Sequence, residues 1–146
     1  MSENSKDWIL LYARFVMGGM FIITGVRKWM LFPNSTKFVA SNGVPFPETM
    51  LALAIALEII AGIMLVVGFR TKLASIGLIL FVLILTPIFH GPWKFDFPRW
   101  LNEMDQCLKN LNLIGAMLMF MAFGPGRFSL DAKLGRTPLA PRPAVA

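Results

Sequence analysis

The sequence is nearly empty of the residue types that build self-contained catalytic or metal centres. It has one cysteine, Cys107, which excludes an internal disulfide, a Cys-x-x-Cys redox pair and a thiolate metal site within the chain. It has one histidine, His90, which alone completes neither a zinc nor a haem site, so no metal is expected. There is no nucleotide-binding glycine loop and no nucleophile–base pair, and a self-contained enzyme is the least favoured reading. Charge is scarce as well. Only 15% of residues are charged, against roughly 25% in soluble domains.

What the chain has instead is apolar length. Of its 146 residues 56% are hydrophobic, and the mean hydropathy is +0.66. Four runs stand out: residues 8–30, 49–69, 73–89 and 108–123, the last of which recruits residues 104–107. Each is long enough to cross a hydrocarbon core of roughly 30 Å as a helix. Barrel strands alternate over about 10 residues, and these runs are too long and too continuous for that. The fold class predicted is an all-α membrane protein, a four-helix antiparallel transmembrane bundle, with the lipid bilayer as its first partner. The net charge of +6 falls between and beyond the runs, where anionic head groups explain it and nucleic acid does not. Residues 1–7 are polar without a basic run, and no small-x-small site follows the first run, so that run is expected to be retained.

The connections follow from turn residues. Residues 31–48 hold Pro33, Asn34, Asn42, Gly43, Pro45 and Pro47 and read as a loop with room for a short interfacial turn. Arg70, Thr71 and Lys72 read as a tight hairpin, and residues 90–106 as a second long loop on the side of the first. After Gly124 come Pro125, Pro138, Pro141 and Pro143, and the end of this tail is expected to be extended or disordered. Trp8 and Trp29 bracket the first run, and Trp93 and Trp100 follow the third, as in an interfacial belt. Lys6, Arg70, Lys72, Arg127, Lys133, Arg136 and Arg142 outnumber Arg27, Lys28, Lys37, Lys94, Arg99 and Lys109 on the other side, which favours both termini in the cytoplasm.

Three charges fall inside the runs. Arg14 lies about two turns into the first, Glu58 at the middle of the second, and Lys109 near the start of the fourth, followed by Asn110 and Asn112. Such groups are costly in a bilayer and need partners or water. Arg14, Gly18, Phe21, Gly25 and Lys28 share one helical face; Ala54, Glu58 and Gly62 share another; Lys109, Asn112 and Ala116 form a third stripe. These faces are expected to turn inward as a polar spine. Antiparallel threading puts Arg14 roughly 8 Å to the cytoplasmic side of Glu58, with Lys109 similarly displaced to the other side and Lys28 and His90 further out. Glu58 is thus expected to bridge Arg14 and Lys109, or to choose one. Two readings of the spine stay open: an ion-pair network that fixes helix register, or a polar pocket for a quinone head group or a proton path. His90, one turn after Thr86, is either solvated, a hydrogen-bond partner for a quinone carbonyl, or one axial ligand to a cofactor shared with another subunit. Met117, Met119 and Met121 suit lipid contact or packing better than metal, and Cys107 is expected to be inert.

The order of motifs resembles a known family. LLYARFVMGGMFIITGVRKW at the start, NGVPFPETMLALAIALEIIAGIMLVVGFRTKLAS in the middle and KNLNLIGAMLMFMAFGPGRFSLD near the end resemble DoxX-family membrane proteins over residues 8–131. The resemblance implies a four-helix protein of the bacterial inner membrane: a DoxX-like domain over residues 1–131 and a proline-rich tail over 132–146. Arg14, Lys28, Glu58, Lys109 and Asn110 match the family's polar positions, and Gly124, Pro125, Gly126 and Asp131 its closing motif. Some relatives, the DoxD type, are membrane subunits of a thiosulfate:quinone oxidoreductase; others are associated with thiol and superoxide defence.

Three functions follow. The first is an accessory subunit of a membrane redox complex, with quinone near the polar residues and no cofactor held by this chain alone. The second is a purely structural subunit that stabilises an assembly. The third is a small transporter or channel, for which four helices leave little room and no discontinuous helix is evident. Partner subunits are expected on helix faces, on the 90–106 loop with its aromatic run, or on the tail.

Overall fold

The computed structural model describes residues 3–136. It has six helices: α1 (Glu3–Met30), α2 (Phe32–Ser41), α3 (Pro47–Val67), α4 (Thr71–Phe89), α5 (Arg99–Phe123) and α6 (Leu130–Lys133). Helices α1, α3, α4 and α5 are each long and apolar enough to cross a membrane. There is no strand among the described residues. The chain is therefore an integral membrane protein with four spanning helices. The expectation of an extended tail end falls on residues 137–146, which lie outside the described residues; the part before them includes α6.

The order of packing is α1 on α3, α3 on α4 and α4 on α5. The α1–α3 contact is the tightest because Gly18 and Gly62 face each other. A Cβ on Gly18 would lie 2.5 Å from the Gly62 carbonyl oxygen, and one on Gly62 would lie 2.8 Å from the Gly18 carbonyl oxygen. Small residues at such a crossing let backbones approach and gain dispersion contacts that lipid tails do not supply. Phe21, Leu65, Leu78, Met117 and Phe120 fill the space where all four helices meet. The opposite faces present Ile23, Leu53, Leu80 and Phe123, all more than half exposed, which suits a hydrocarbon surround.

The structure corrects four boundaries. The expected loop over 31–48 contains α2, ten residues long. Pro33 looks like a breaker, but in the first turn of a helix its missing N–H has no partner to lose. Helix α2 lies on α3 through Val39, Leu51 and Ile55, and Phe38 stacks on Phe89 of α4 with centroids 5.4 Å apart. The expected loop over 90–106 is helical from Arg99 onward, and Pro92–Lys94 form a 3-10 turn. Asn102, Glu103, Asp105 and Gln106 lowered the hydropathy there, but backbone hydrogen bonding continues regardless of polarity. The second run is helical over Pro47–Val67 rather than 49–69. The hairpin turn is Gly68–Arg70, while Thr71 and Lys72 already belong to α4. Gly68 ends α3 at φ +67°, and the N–H groups of Gly68 and Phe69 bond back to the carbonyls of Leu65 and Met64. That left-handed cap is the conformation glycine adopts at least cost.

Candidate functional site

The helix order divides the polar residues into three clusters. One end of the bundle holds the start of α1, the Gly68–Arg70 turn, the end of α5 and α6. The other end holds the end of α1, α2, the end of α4 and the start of α5. The first cluster closes the first end, the second lies between α1 and α3, and the third lies between α4 and α5.

At the first end Arg14 is fully buried. Its guanidinium donates to the carbonyl oxygens of Val66 at 3.4 Å and Phe128 at 2.5 Å. Asp131 makes no hydrogen bond or ion pair with Arg14 among the described residues; its guanidinium partner is Arg136 at 3.9 Å. Asp131 in turn accepts from the Arg70 N–H at 2.8 Å, the Thr71 N–H at 2.9 Å and the Thr71 hydroxyl at 3.1 Å. It thereby caps α4, whose first N–H groups have no partner inside the helix and favour negative charge. Ser129 caps α6 by accepting from the Ala132 N–H at 3.1 Å. Asp7 accepts from the Arg127 N–H at 3.0 Å. The Arg14–Phe128 and Asp7–Arg127 contacts tie the closing motif to α1, and those of Asp131 tie it to the turn after α3. The cluster is thus a clasp built from distant stretches of chain.

Between α1 and α3, Lys28 Nζ donates to Glu58 Oε1 at 2.5 Å. The Glu58 side chain is 5% exposed and that of Lys28 30% exposed. Lys28 reaches Glu58 because helical side chains lean toward the N-terminus of their own helix, and the crossing near Gly25 sets Glu58 within range. Nζ also lies 5.9 Å from the centroid of the Phe81 ring on α4. A carboxylate offers about four lone-pair positions. Here Oε1 is engaged and Oε2 is buried with no hydrogen-bond partner among the described residues. The pair is neutral in sum, which lowers the cost of its place in the membrane. Chemically it retains one acceptor for a hydroxyl or a proton, beside a lysine that is partly open to the α2 end.

Between α4 and α5, Asn110 donates to the Thr86 hydroxyl at 2.9 Å, and Thr86 donates to the Val82 carbonyl at 2.6 Å. His90 Nδ1 lies 3.0 Å from Glu103 Oε2, and Arg99 lies 3.5 Å from the same carboxylate. No hydrogen bond or ion pair joins this seam to the Lys28–Glu58 pair among the described residues.

The structure therefore divides the expected spine. Glu58 bridges neither Arg14 nor Lys109 but pairs with Lys28, the residue read as lying further out. Arg14 turns to the clasp. Lys109 and Asn112 do not turn inward; both are exposed, with Lys109 3.5 Å from the Gln106 side-chain oxygen. His90 is paired with Glu103 and its side chain is also 31% exposed. Met117 is core, while Met119 is exposed. Asp7, Thr71 and Glu103 make contacts that no motif in the sequence marks, and Asp131 of the closing motif gains a role as the cap of α4. The Ser-x-Asp run after a Pro-Gly turn was the available signal for a cap. An apolar groove of about 640 Å³ opens laterally between the α1–α2 junction and α3, walled by Trp29, Phe32, Ile55 and Ile59; Glu58 does not line it.

The sequence model of the DoxX family matches residues 9–91, which span from α1 to the end of α4 and include Arg14, Lys28, Glu58, Thr86 and His90. The chain is 33% identical over 129 residues to "Inner membrane protein YphA" of Escherichia coli strain K12, covering 88% of this chain and 92% of that protein. It is 30% identical over 134 residues to "Inner membrane protein YqjF" of the same organism, covering 92% and 98%. No solved structure matches.

Proposed function

This chain belongs to the DoxX family, and on that premise we propose that it is a bacterial inner-membrane subunit of a larger redox complex, contributing a quinone-proximal site at Lys28 and Glu58. The observation that carries the reading is the second carboxylate oxygen of Glu58, buried and unpartnered beside a lysine that is partly open. A quinol hydroxyl can donate to that oxygen, and a quinone carbonyl can accept from Lys28. His90 is a further contact in this reading: with Nδ1–H donated to Glu103, Nε2 of the neutral ring is left to accept from a quinol hydroxyl. The Thr86 hydroxyl is already occupied by Val82 and Asn110, so Thr86 acts by holding the seam. The excess of basic residues at the clasp end favours both termini in the cytoplasm, with the Lys28–Glu58 pair nearer the opposite leaflet.

The test is quinone retained on purification in mild detergent. Glu58→Gln keeps size and removes charge. The expected result is bound quinone in the wild type and a fall of about tenfold or more in Glu58→Gln, in line with loss of a charge-assisted hydrogen bond, in protein that stays folded while its melting temperature falls because Lys28 loses its counter-charge. A quinone-free wild type, or equal quinone in both, overturns the reading.

A structural subunit is the second reading, and the clasp favours it: Arg14 donates to two backbone carbonyls, and Asp131 accepts from two backbone N–H groups and the Thr71 hydroxyl, so both hold distant parts of the chain together. Its signature is intact electron transfer in Glu58→Gln together with loss of the parent complex when the bundle is loosened.

A further inference from the structure

Helix α5 buries one face against α4 through residues such as Asn110, Met117 and Phe120. Its outer side carries Asp105, Lys109, Asn112, Ala116, Met119 and Phe123, spaced alternately by four and three residues. That is the heptad spacing of a coiled-coil seam. All but the half-buried Ala116 are exposed. Asn110 lies level with Thr86 of α4, so Asn112 sits about 7 Å inside the α2-side end of that helix at 1.5 Å per residue. Its amide has no hydrogen-bond partner among the described residues, and neither has the Asp105 carboxylate. An amide facing hydrocarbon with no partner is costly, and polar residues at this depth bond across helix interfaces.

We propose that this face of α5 is a two-fold interface with a second copy of the chain in the same membrane orientation. The chemistry of the face is complementary to itself. An amide is both donor and acceptor, so Asn112 of one copy satisfies Asn112 of the other across the axis. Across a parallel two-fold equal positions lie opposite each other, and the diagonal reach of Lys109 of each copy to Asp105 of the other, about 6 Å along the axis, offsets the like charges. Ala116 leaves room for close approach beneath the amide pair, and Met119 and Phe123 continue the seam with apolar contact. A single polar residue in an otherwise apolar seam fixes register. A different protein would have to supply the same pattern of charge and amide at the same depths; a second copy supplies it by symmetry.

The test uses full-length protein in liposomes. In a Cys107→Ser background, Met119→Cys is expected to form a disulfide dimer on oxidation, and Leu53→Cys on the outer face of α3 is expected not to. By energy transfer between labelled copies, Asn112→Leu is expected to raise the dimer dissociation constant about three- to tenfold, the range of one interhelical hydrogen bond. Asp105→Lys weakens the dimer, and the double exchange Asp105→Lys with Lys109→Asp restores it. A monomeric wild type overturns the proposal, as does equal cross-linking at Leu53→Cys or failure of the double exchange to restore association. A different polypeptide cross-linked at Met119→Cys in native membranes in place of the second copy also overturns it.

Discussion

Asp131→Ala is expected to lower the unfolding free energy by about 2–4 kcal/mol, the scale of losing a helix cap and leaving buried donors without an acceptor. The loss is large because one side chain serves three purposes. It accepts the N–H groups of Arg70 and Thr71 that begin α4, it accepts the Thr71 hydroxyl, and it lies 3.9 Å from the Arg136 guanidinium. An N-cap alone is worth about 1 kcal/mol. The remainder comes from leaving the N–H and hydroxyl of the buried Thr71 without an acceptor. Asp131→Asn separates the parts: it keeps an acceptor oxygen and loses the charge, so an intermediate loss is expected. The measurement is the unfolding midpoint in mixed micelles of mild detergent and dodecyl sulfate. Wild-type midpoints for both variants would remove the clasp from the account of stability. Faster proteolytic cleavage after Lys133 should accompany the loss, since α6 is held to the bundle by these bonds.

Gly18→Leu is expected to cut the yield of folded protein severely, with a destabilisation of about 3 kcal/mol or more from overpacking against backbone. At this crossing the obstacle is the Gly62 carbonyl, which has no rotamer to yield, with Val66 Cγ2 at 2.7 Å. Helices α1 and α3 must separate, and the Lys28–Glu58 pair is strained with them. Gly62→Leu should behave alike. Gly19 is the internal control. A Cβ there meets nothing within 4 Å, so Gly19→Ala should leave the melting temperature unchanged or raise it slightly, alanine being the better helix former by about 1 kcal/mol. Equal melting of Gly18→Leu and wild type would mean that the helices do not pack through this contact.

The two variants act at different places, and that difference bears on function. Gly18→Leu perturbs the whole α1–α3 crossing, including Lys28 and Glu58, whereas Asp131→Ala acts at the opposite end. A complex that tolerates Asp131→Asn but loses quinone in Glu58→Gln would separate the proposed site from the clasp that merely supports it.

The sequence by itself determined the four spans, the all-α fold and the family. The physical reason is that apolar length measured against bilayer thickness is a local property: each run must satisfy its own backbone in hydrocarbon, whatever its neighbours do. It also placed Arg14 and Glu58 on helical faces that are in fact buried, because small residues at steps of three and four mark close contact. It erred where locality failed. Residues 32–41 and 99–106 look like loop because proline and polar side chains break hydropathy, yet neither breaks a helix that starts there. Only the tertiary structure decided which charges meet. The partner of Glu58 depends on the depth at which α1 crosses α3, and Lys28 reaches it by leaning back along its own helix. The carbonyl of Phe128 arrives at Arg14 from 114 positions away, because the closing motif folds back onto the turn after α3. Lys109, which shares a helix with the inward-facing Asn110, is turned out by a rotation that no spacing within α5 alone could specify.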